Sequence, residues 1–119
     1  MSDQTGDYEQ IRAAAADYVE GWYSGDVARM DRCLHDDLVK RMATSEGGGL
    51  RNVTKTRMLE LTSDGGGEDP DPEFETVVFQ VSEDIAGAVV TSPEYVDLLH
   101  LARTSEGWKI VNVLFRNRA

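Results

Sequence analysis

The chain has 119 residues, which is enough for one domain, residues 1–119, with a hydrophobic core of its own. Its 22 acidic and 12 basic side chains give a formal net charge of −10, which argues against binding to nucleic acid or to an anionic membrane surface. No apolar run is long enough for a membrane span, and the polar, acidic N-terminus lacks the features of a signal peptide. The single cysteine, Cys33, cannot form an internal disulfide, so we expect a cytoplasmic protein in which Cys33 is an inert, buried thiol.

Helical periodicity dominates the first third of the chain. Apolar residues repeat at helical spacing over residues 8–24, which predicts a long amphipathic helix. Gly25 is typical of the residue that ends such a helix, and Asp26 is typical of an N-cap. We therefore expect a second, short helix to follow, with Met30 and Leu34 on its inner face.

The next segment alternates between short elements and breakers. Residues 38–44 predict a strand, and the glycines within residues 46–49 predict a loop. Thr54 is a suitable N-cap for a third helix that ends near Thr62. Residues 64–72 are rich in Gly, Asp and Pro and predict an irregular segment, and the sequence leaves open whether that segment closes over a pocket.

The second half of the chain changes to the two-residue period of strands. Four strands are predicted, at residues 74–81, 85–91, 94–103 and 108–116, with polar turns between them. Helices followed by consecutive hairpins are typical of an α+β fold, in which the helices cover one face of a curved antiparallel sheet.

Stretches near both ends of the chain are similar to those of a known superfamily. The sequences GWYSGD (residues 21–26) and LHDDL (34–38) resemble the start of the nuclear transport factor 2-like superfamily. The sequences YVDLLHL (95–101) and WKIVNV (108–113) resemble the closing hairpin of its putative lumazine-binding branch. SnoaL-like polyketide cyclases, ketosteroid isomerase and scytalone dehydratase are more distant members of the same superfamily.

This resemblance implies a cone-shaped, cystatin-like fold. The sheet would wrap around the long helix, and a small-molecule pocket would open between the helices and the concave face. Members commonly form homodimers through the outer face of the sheet. The fold alone implies no activity, because it hosts enzymes, binding proteins and transport adaptors alike.

Alternation along the last two strands assigns their side chains to the two faces of the sheet. The predicted inward set is Leu99, Leu101, Trp108 and Ile110. The predicted outward set is Leu98, Val111, Val113 and Phe115. A sheet that is apolar on both faces needs a second cover, which a partner subunit would provide.

Two polar residues share the predicted inward face. A carboxylate at Asp97 would be partly desolvated, which raises its pKa and makes it a candidate acid or base. Ketosteroid isomerase uses a strand aspartate of this kind, but it also needs a carboxylate base on the strand after the second helix. Residues 38–44 contain no acid, so chemistry of that type is not predicted. A structural hydrogen-bond acceptor is the alternative role for Asp97. Asn112 could orient a ligand carbonyl or satisfy a buried backbone group.

His35 follows the second helix and stands beside Asp36 and Asp37. Consecutive side chains diverge, and His100 is the only other histidine, so a metal site is not predicted. A catalytic pair between His35 and an acid is one hypothesis. A helix-ending turn that places His35 near the pocket mouth is the favoured alternative.

A further set of residues predicts the wall of a pocket for a planar, hydrophobic ligand. Tyr18 and Trp22 lie one turn apart on the first helix, and Met42 and Met58 could join them. An ordinary core built from the same residues is the alternative.

Three functional hypotheses follow. The leading one is a homodimeric small-molecule-binding protein without a predicted cofactor. The second is an isomerase-, dehydratase- or cyclase-type enzyme that uses Asp97 as acid or base, assisted by His35 or Tyr18. The third is a non-catalytic dimerisation module whose cone is filled with side chains.

Overall fold

Three helices and a six-stranded sheet make up the computed structural model, which describes residues 4–44, 48–67, 69 and 71–118. In chain order the elements are α1 (Gln4–Ser24), α2 (Val27–Cys33), β1 (Leu34–Ala43), β2 (Leu50–Val53), α3 (Lys55–Ser63), β3 (Glu75–Ser82), β4 (Ile85–Thr91), β5 (Tyr95–Thr104) and β6 (Gly107–Asn117). Residues 45–47, which include part of the predicted glycine loop, lie outside the described residues.

The sheet has the strand order β2-β1-β6-β5-β4-β3. Strands β3 to β6 form the predicted antiparallel meander, whose last strand returns to lie beside β1. The helices pack on this sheet, so the predicted α+β class is confirmed. The sheet is mixed rather than wholly antiparallel, because β1 and β6 run in the same direction.

The helix ends follow from the predicted capping residues. Gly25 has a φ of 70°, the left-handed conformation that glycine adopts without strain. The Asp26 side chain accepts a 3.1 Å hydrogen bond from the backbone N–H of Arg29 and caps α2. Thr54 caps α3 in the same way, by accepting a 3.1 Å hydrogen bond from the N–H of Arg57.

Strand β1 begins four residues earlier than predicted, and β2 was not predicted. Leu34 is buried and pairs with Ile110, so the chain becomes extended directly after α2. The helical spacing between Met30 and Leu34 had favoured a second helix that extends to Leu34. Strand β2, at Leu50–Val53, is a short edge strand with three exposed residues, and it therefore shows no apolar alternation.

The core lies between α1 and the inner face of the sheet. The four apolar residues of β5 and β6 that were predicted to face inward are all at most 5% exposed, which confirms their orientation. They pack with Ile11 and Ala15 of α1 and with Met30 of α2. Cys33 is 2% exposed and donates a hydrogen bond to the Met30 carbonyl, as expected for a buried thiol.

A β-bulge in β6 interrupts the two-residue alternation. Ile110 pairs with Leu101, whereas the preceding residue of β5, His100, pairs with Asn112. Val111 is the extra residue between these two pairs. Because one inserted residue moves all later side chains to the opposite face, the predicted faces are reversed beyond this point.

Three predicted orientations are wrong for this reason. Val113 is 1% exposed in the core, and Phe115 also lies on the inner side of the sheet, although both were predicted to face outward. Asn112 was predicted to face inward, but it lies on the outer face, where its Nδ2 is 3.2 Å from Nδ1 of His100.

The described residues contain no helix that is both long and apolar enough to cross a membrane.

The outer face of the sheet carries large apolar side chains that the described residues leave exposed. Phe79 is 58% exposed and Leu98, predicted to face outward, is 47% exposed. The other large apolar residues exposed on this face are Val39, Leu50, Val77, Ile85 and Leu114. This surface, the outer apolar face, spans β1 to β6.

Candidate functional site

A cavity of about 310 Å³ opens between the helices and the inner face of the sheet. Helix α1 contributes Tyr18 and Trp22 to its wall, and helix α3 contributes Met58. Strand β1 contributes Lys40 and Met42. Strands β5 and β6 complete the wall with Tyr95, Asp97, Phe115 and Asn117.

Aromatic rings form one side of this cavity. Tyr95 makes edge-to-face contacts with Trp22 and with Phe115, at centroid distances of 6.4 Å and 5.8 Å. Such contacts hold the rings in fixed relative orientations. The apolar wall is therefore already formed and offers flat surfaces to a ligand.

Three buried polar side chains that line the same cavity form a hydrogen-bonded chain. The Lys40 Nζ donates to the Tyr18 hydroxyl oxygen at 2.6 Å, and the Tyr18 hydroxyl donates to Asp97 Oδ1 at 2.9 Å. Lys40, Tyr18 and Asp97 are 6%, 4% and 3% exposed. We call this set the Lys–Tyr–Asp chain.

The strands and helices fix each member of the chain. Lys40 pairs with Val113 across β1 and β6, so its side chain points inward with Leu38 and Met42. Asp97 pairs with Phe115 across β5 and β6 and also faces inward. Tyr18 reaches both residues from the face of α1 that packs on the sheet.

Burial changes the acid–base properties of all three groups. Loss of hydration lowers the pKa of Lys40 from 10.5 to about 8, although the Asp97 charge opposes this change. Burial raises the pKa of Asp97, with the Lys40 charge and the Tyr18 hydrogen bond opposing it. The pKa of Tyr18 is raised well above its ordinary value by burial and by the Asp97 carboxylate.

The surroundings of the Lys40 amine are mostly apolar. Its Nζ lies 3.3 Å from the Met58 sulfur and stands over the rings of Tyr18 and Phe115, at 4.9 Å and 4.6 Å from their centroids. The ring faces stabilise the ammonium form, but less than water does. With a pKa of about 8, Lys40 is therefore the member of this chain that can accept or release a proton near neutral pH.

The start of the segment at residues 64–72 packs against the end of α1, next to the cavity. The Gly67 N–H donates to the Trp22 carbonyl at 3.3 Å. A methyl group at Gly66 would collide with the Trp22 backbone, and one at Gly67 would collide with the Tyr23 ring. These two glycines allow the segment to pack closely against Trp22 and Tyr23, which both line the cavity. Residues 68 and 70 lie outside the described residues.

The family described as putative lumazine-binding matches residues 6–116. The chain belongs to that family. A search of curated proteins finds no match.

Solved structures extend the likeness to the nuclear transport factor 2-like superfamily. A nuclear transport factor 2-like protein of unknown function from Silicibacter pomeroyi DSS-3 is 20% identical, with a TM-score of 0.85 over 98% of this chain and 100% of that one. Another from Shewanella baltica OS155 is 13% identical, with a TM-score of 0.82 over 100% and 99%. A cystatin-like fold protein from Burkholderia xenovorans LB400 is 20% identical, with a TM-score of 0.66 over 93% and 91%. At such identities the likeness shows the fold alone, and it confirms the predicted cone architecture.

In this member of the putative lumazine-binding family, five predicted site residues lie together. Tyr18, Trp22, Met42, Met58 and Asp97 all line the cavity. Their roles in binding or catalysis stay predictions. Within the described part of the chain, no three side chains of His, Cys, Asp or Glu are grouped as a metal ion would require.

The other two predicted site residues lie elsewhere. Asn112 is on the outer face because of the β6 bulge. His35 lies near the start of β1, where its Nδ1 accepts a 3.0 Å hydrogen bond from the Asp37 N–H. It lines a separate polar groove with Lys55 and Lys109, so its predicted position near the pocket mouth is wrong. The cause is the early start of β1, which carries His35 away from the cavity end of the strand.

Lys40 is the member of the Lys–Tyr–Asp chain that was not among the predicted site residues. It alternates with Leu38 and Met42 in the sequence, whereas ketosteroid isomerase has a carboxylate on the corresponding strand. A lysine between two inward-facing apolar residues was the available signal, because strand parity places it in the cone.

Proposed function

We propose that this protein binds a small, planar, largely apolar molecule that presents a polar group to the Lys–Tyr–Asp chain. The observation that carries this proposal is the preformed cavity, in which aromatic rings face a hydrogen-bonded set of buried titratable groups. Buried polar groups of this kind fix the orientation of a ligand, while apolar walls supply most of the binding free energy. The family description is consistent with a flat ring system as ligand.

The size of the cavity limits the ligand. At about 310 Å³ it lies near the lower end of the range for small-molecule sites, roughly 300–1,000 Å³. A ligand of two or three fused rings is therefore preferred over a full steroid or a dinucleotide. The same cavity argues against the hypothesis of a cone filled with side chains.

An acid–base enzyme is the second candidate, and Lys40 is the observation that favours it. Isomerase- or dehydratase-type chemistry needs a proton acceptor and a donor at one cavity. Lys40 as a free amine can accept a proton, and Tyr18 can donate a hydrogen bond to a developing oxyanion. The Tyr18 hydrogen that bonds Asp97 Oδ1 would then turn to the oxyanion, and a protonated Asp97, which burial favours, would donate to the Tyr18 oxygen in its place. His35 has no part in this scheme because it lies in the separate groove.

A thermal-shift screen tests the binding proposal. The panel holds pterins, flavin-like rings, steroids and aromatic polyketides, and the wild type is compared with Asp97→Asn and Asp37→Asn. Asp37 is an exposed aspartate outside the cavity, so it is the matched control. A ligand that binds only the native state raises the melting temperature by mass action. We expect a bicyclic or tricyclic hit in the wild type and in Asp37→Asn, with a smaller shift in Asp97→Asn. A panel without any hit would refute the proposal.

We also propose that two copies associate through the outer apolar face. Phe79, Leu98 and Leu114 form part of one apolar surface on that side of the sheet, and exposed apolar surface of this kind favours burial against a partner. A second copy supplies the same apolar surface, which is self-complementary under two-fold symmetry. Light scattering should show a dimer that Leu98→Glu dissociates and that Thr56→Glu, which adds the same charge on α3, leaves intact. A monomeric wild type would contradict this assembly.

A further inference from the structure

We propose that Lys40 is a carbonyl-reactive amine, which condenses with an aromatic or conjugated aldehyde or ketone held in the cavity to form an imine. This inference rests on the proposed function, because it names the chemical class of ligand for the same site. It assigns a covalent role to a residue for which ordinary binding requires only a hydrogen bond.

The position of the amine carries the first step of the argument. Lys40 is buried yet lines the cavity, so a ligand in the cavity lies against its side chain. The Nζ contacts the Tyr18 hydroxyl, the Met58 sulfur and two ring faces. These neighbours leave the amine poorly hydrated, which is the environment that activates lysines for attack on carbonyl carbon.

The other lysines of the chain provide the contrast. The sequence contains three lysines, Lys40, Lys55 and Lys109. The Lys55 Nζ makes ion pairs of 2.9 Å with both Asp31 and Asp36, and these carboxylates raise its pKa. The Lys109 Nζ donates to the backbone carbonyl of Arg32, and both lysines line the separate polar groove. Lys40 is therefore the one lysine of the three that lines the cavity.

Protonation decides which of these amines can attack. Only a neutral amine is a nucleophile. With a pKa of about 8, Lys40 is free base to roughly a tenth or more near neutral pH, whereas an ordinary lysine is free base to about one part in a thousand. The structure therefore provides both the position and the protonation state.

The condensation balances without any further reactant. The Lys40 nitrogen attacks the carbonyl carbon, and a proton moves from nitrogen to oxygen to give a carbinolamine. The carbon–oxygen bond then breaks as the hydroxyl takes up one proton and leaves as water, and the nitrogen releases its remaining proton as the carbon–nitrogen double bond becomes that of the neutral imine, so no net proton is gained or lost. Tyr18 contacts both Lys40 and Asp97, so it is placed to pass these protons, and burial raises the pKa of Asp97, which favours its proton-carrying form. One water is released for each imine formed, and no electron acceptor or donor is consumed.

Reductive trapping tests the proposal. The full-length protein is treated with benzaldehyde and sodium cyanoborohydride at about pH 7.5, which converts an imine to a stable benzylamine, and the labelled lysine is located by peptide mass mapping. The three lysines are compared within one sample, so Lys55 and Lys109 serve as internal controls. The α-amino group is mapped separately. We expect Lys40 to carry at least about ten times the label of either control lysine.

Two pairs of variants sharpen the result. Lys40→Met should abolish the fast label, while Lys55→Met should leave it unchanged. Tyr18→Phe keeps the ring but removes the hydroxyl, and it should slow trapping at Lys40 severalfold, whereas Tyr8→Phe should not. If a variant does not fold, the labelling pattern of the three lysines in the wild-type protein decides the proposal by itself. Equal labelling of the three lysines, or no label at Lys40, overturns it.

A parallel measurement separates this inference from the binding proposal. Thermal shifts are recorded with planar rings that lack a carbonyl group. Shifts without Lys40 labelling would overturn imine formation and leave ligand binding supported. Labelling without such shifts would support imine formation and count against planar binding as the main interaction. Absence of both would overturn the two proposals together.

Discussion

Lys40→Met should change how the stability of the protein depends on pH. The buried amine has a folded-state pKa of about 8 against 10.5 for an exposed lysine. Since a tenfold change in a protonation equilibrium corresponds to about 1.4 kcal/mol, the ammonium form destabilises the fold by roughly 3 kcal/mol at neutral pH. Above pH 10.5 this cost is absent; it grows as the pH falls from 10.5 to about 8 and is fully present below about 8.

The sign and size of the effect follow from linkage. Between these two pKa values the unfolded chain binds more protons than the folded one, so the free energy of unfolding rises with pH. The free energy of unfolding of the wild type should therefore rise by about 2 kcal/mol relative to that of Lys40→Met between about pH 7 and pH 9.5. Loss of the Lys40 charge also removes an interaction that lowers the pKa of Asp97. A carboxyl group with a raised folded-state pKa makes the free energy of unfolding fall as the pH rises. Any titration of Asp97 in the variant would therefore increase the difference between the wild type and Lys40→Met.

Urea denaturation at a series of pH values measures this difference. Titration of groups common to both proteins, such as Cys33, cancels in the comparison. Lys55→Met is the control, because the ion pairs of Lys55 raise its pKa and place its titration above this window. A wild-type-minus-Lys40→Met difference that does not vary with pH would refute the assignment of a lowered pKa to Lys40.

Three further predictions concern the same site and its surroundings. Asp97→Asn should leave the protein folded but reduce its thermal response to ligand; loss of cooperative unfolding in that variant would support a structural role instead. Tyr18→Phe should lower the free energy of unfolding in urea by about 1–3 kcal/mol, because Lys40 and Asp97 lose their shared partner, whereas equal losses in Tyr18→Phe and Tyr8→Phe would contradict this role. Cys33, whose pKa burial raises to about 12, should react with an aromatic disulfide reagent only as fast as the protein unfolds, and rapid labelling of the native protein would contradict its burial.

The sequence predicts the fold where local patterns agree with the environment. The capping residues Asp26 and Thr54 mark the helix starts because their side chains bond backbone donors that any helix leaves free. The inward positions of Leu99 and Leu101 follow from strand parity, since β5 alternates without interruption. Short-range chemistry determines both features, so they can be inferred without knowledge of distant contacts.

Other features depend on tertiary contacts that a local pattern does not contain. Strand β2, at Leu50–Val53, exists because β1 offers an unpaired edge, whereas its own residues are mostly exposed. The parallel pairing of β1 with β6 depends on the path of the whole meander. The β6 bulge at Val111 leaves no clear mark in an apolar strand, and it was enough to misplace Asn112 and Phe115.

Some residues of the candidate site could likewise be predicted from local patterns, whereas the role of Lys40 depends on tertiary contacts. Tyr18, Trp22 and Asp97 could be predicted because each is the conspicuous residue on a face assigned by periodicity. Lys40 could not be assigned a role from its position alone, because its partners come from α1 and β5. Its chemistry depends on burial among groups that are distant in sequence.

Val111 is the extra residue of β6, because its two neighbours pair with consecutive residues of β5. Its deletion would remove the bulge and leave an even two-residue repeat, in which Ile110, Val113 and Phe115 keep their inward faces. Insertion of one residue between Asn112 and Val113 would instead turn Phe115 to the outer side of the sheet. The strand should therefore tolerate the loss of one residue at Val111 far better than the gain of one beyond it, a constraint that point substitutions would not reveal.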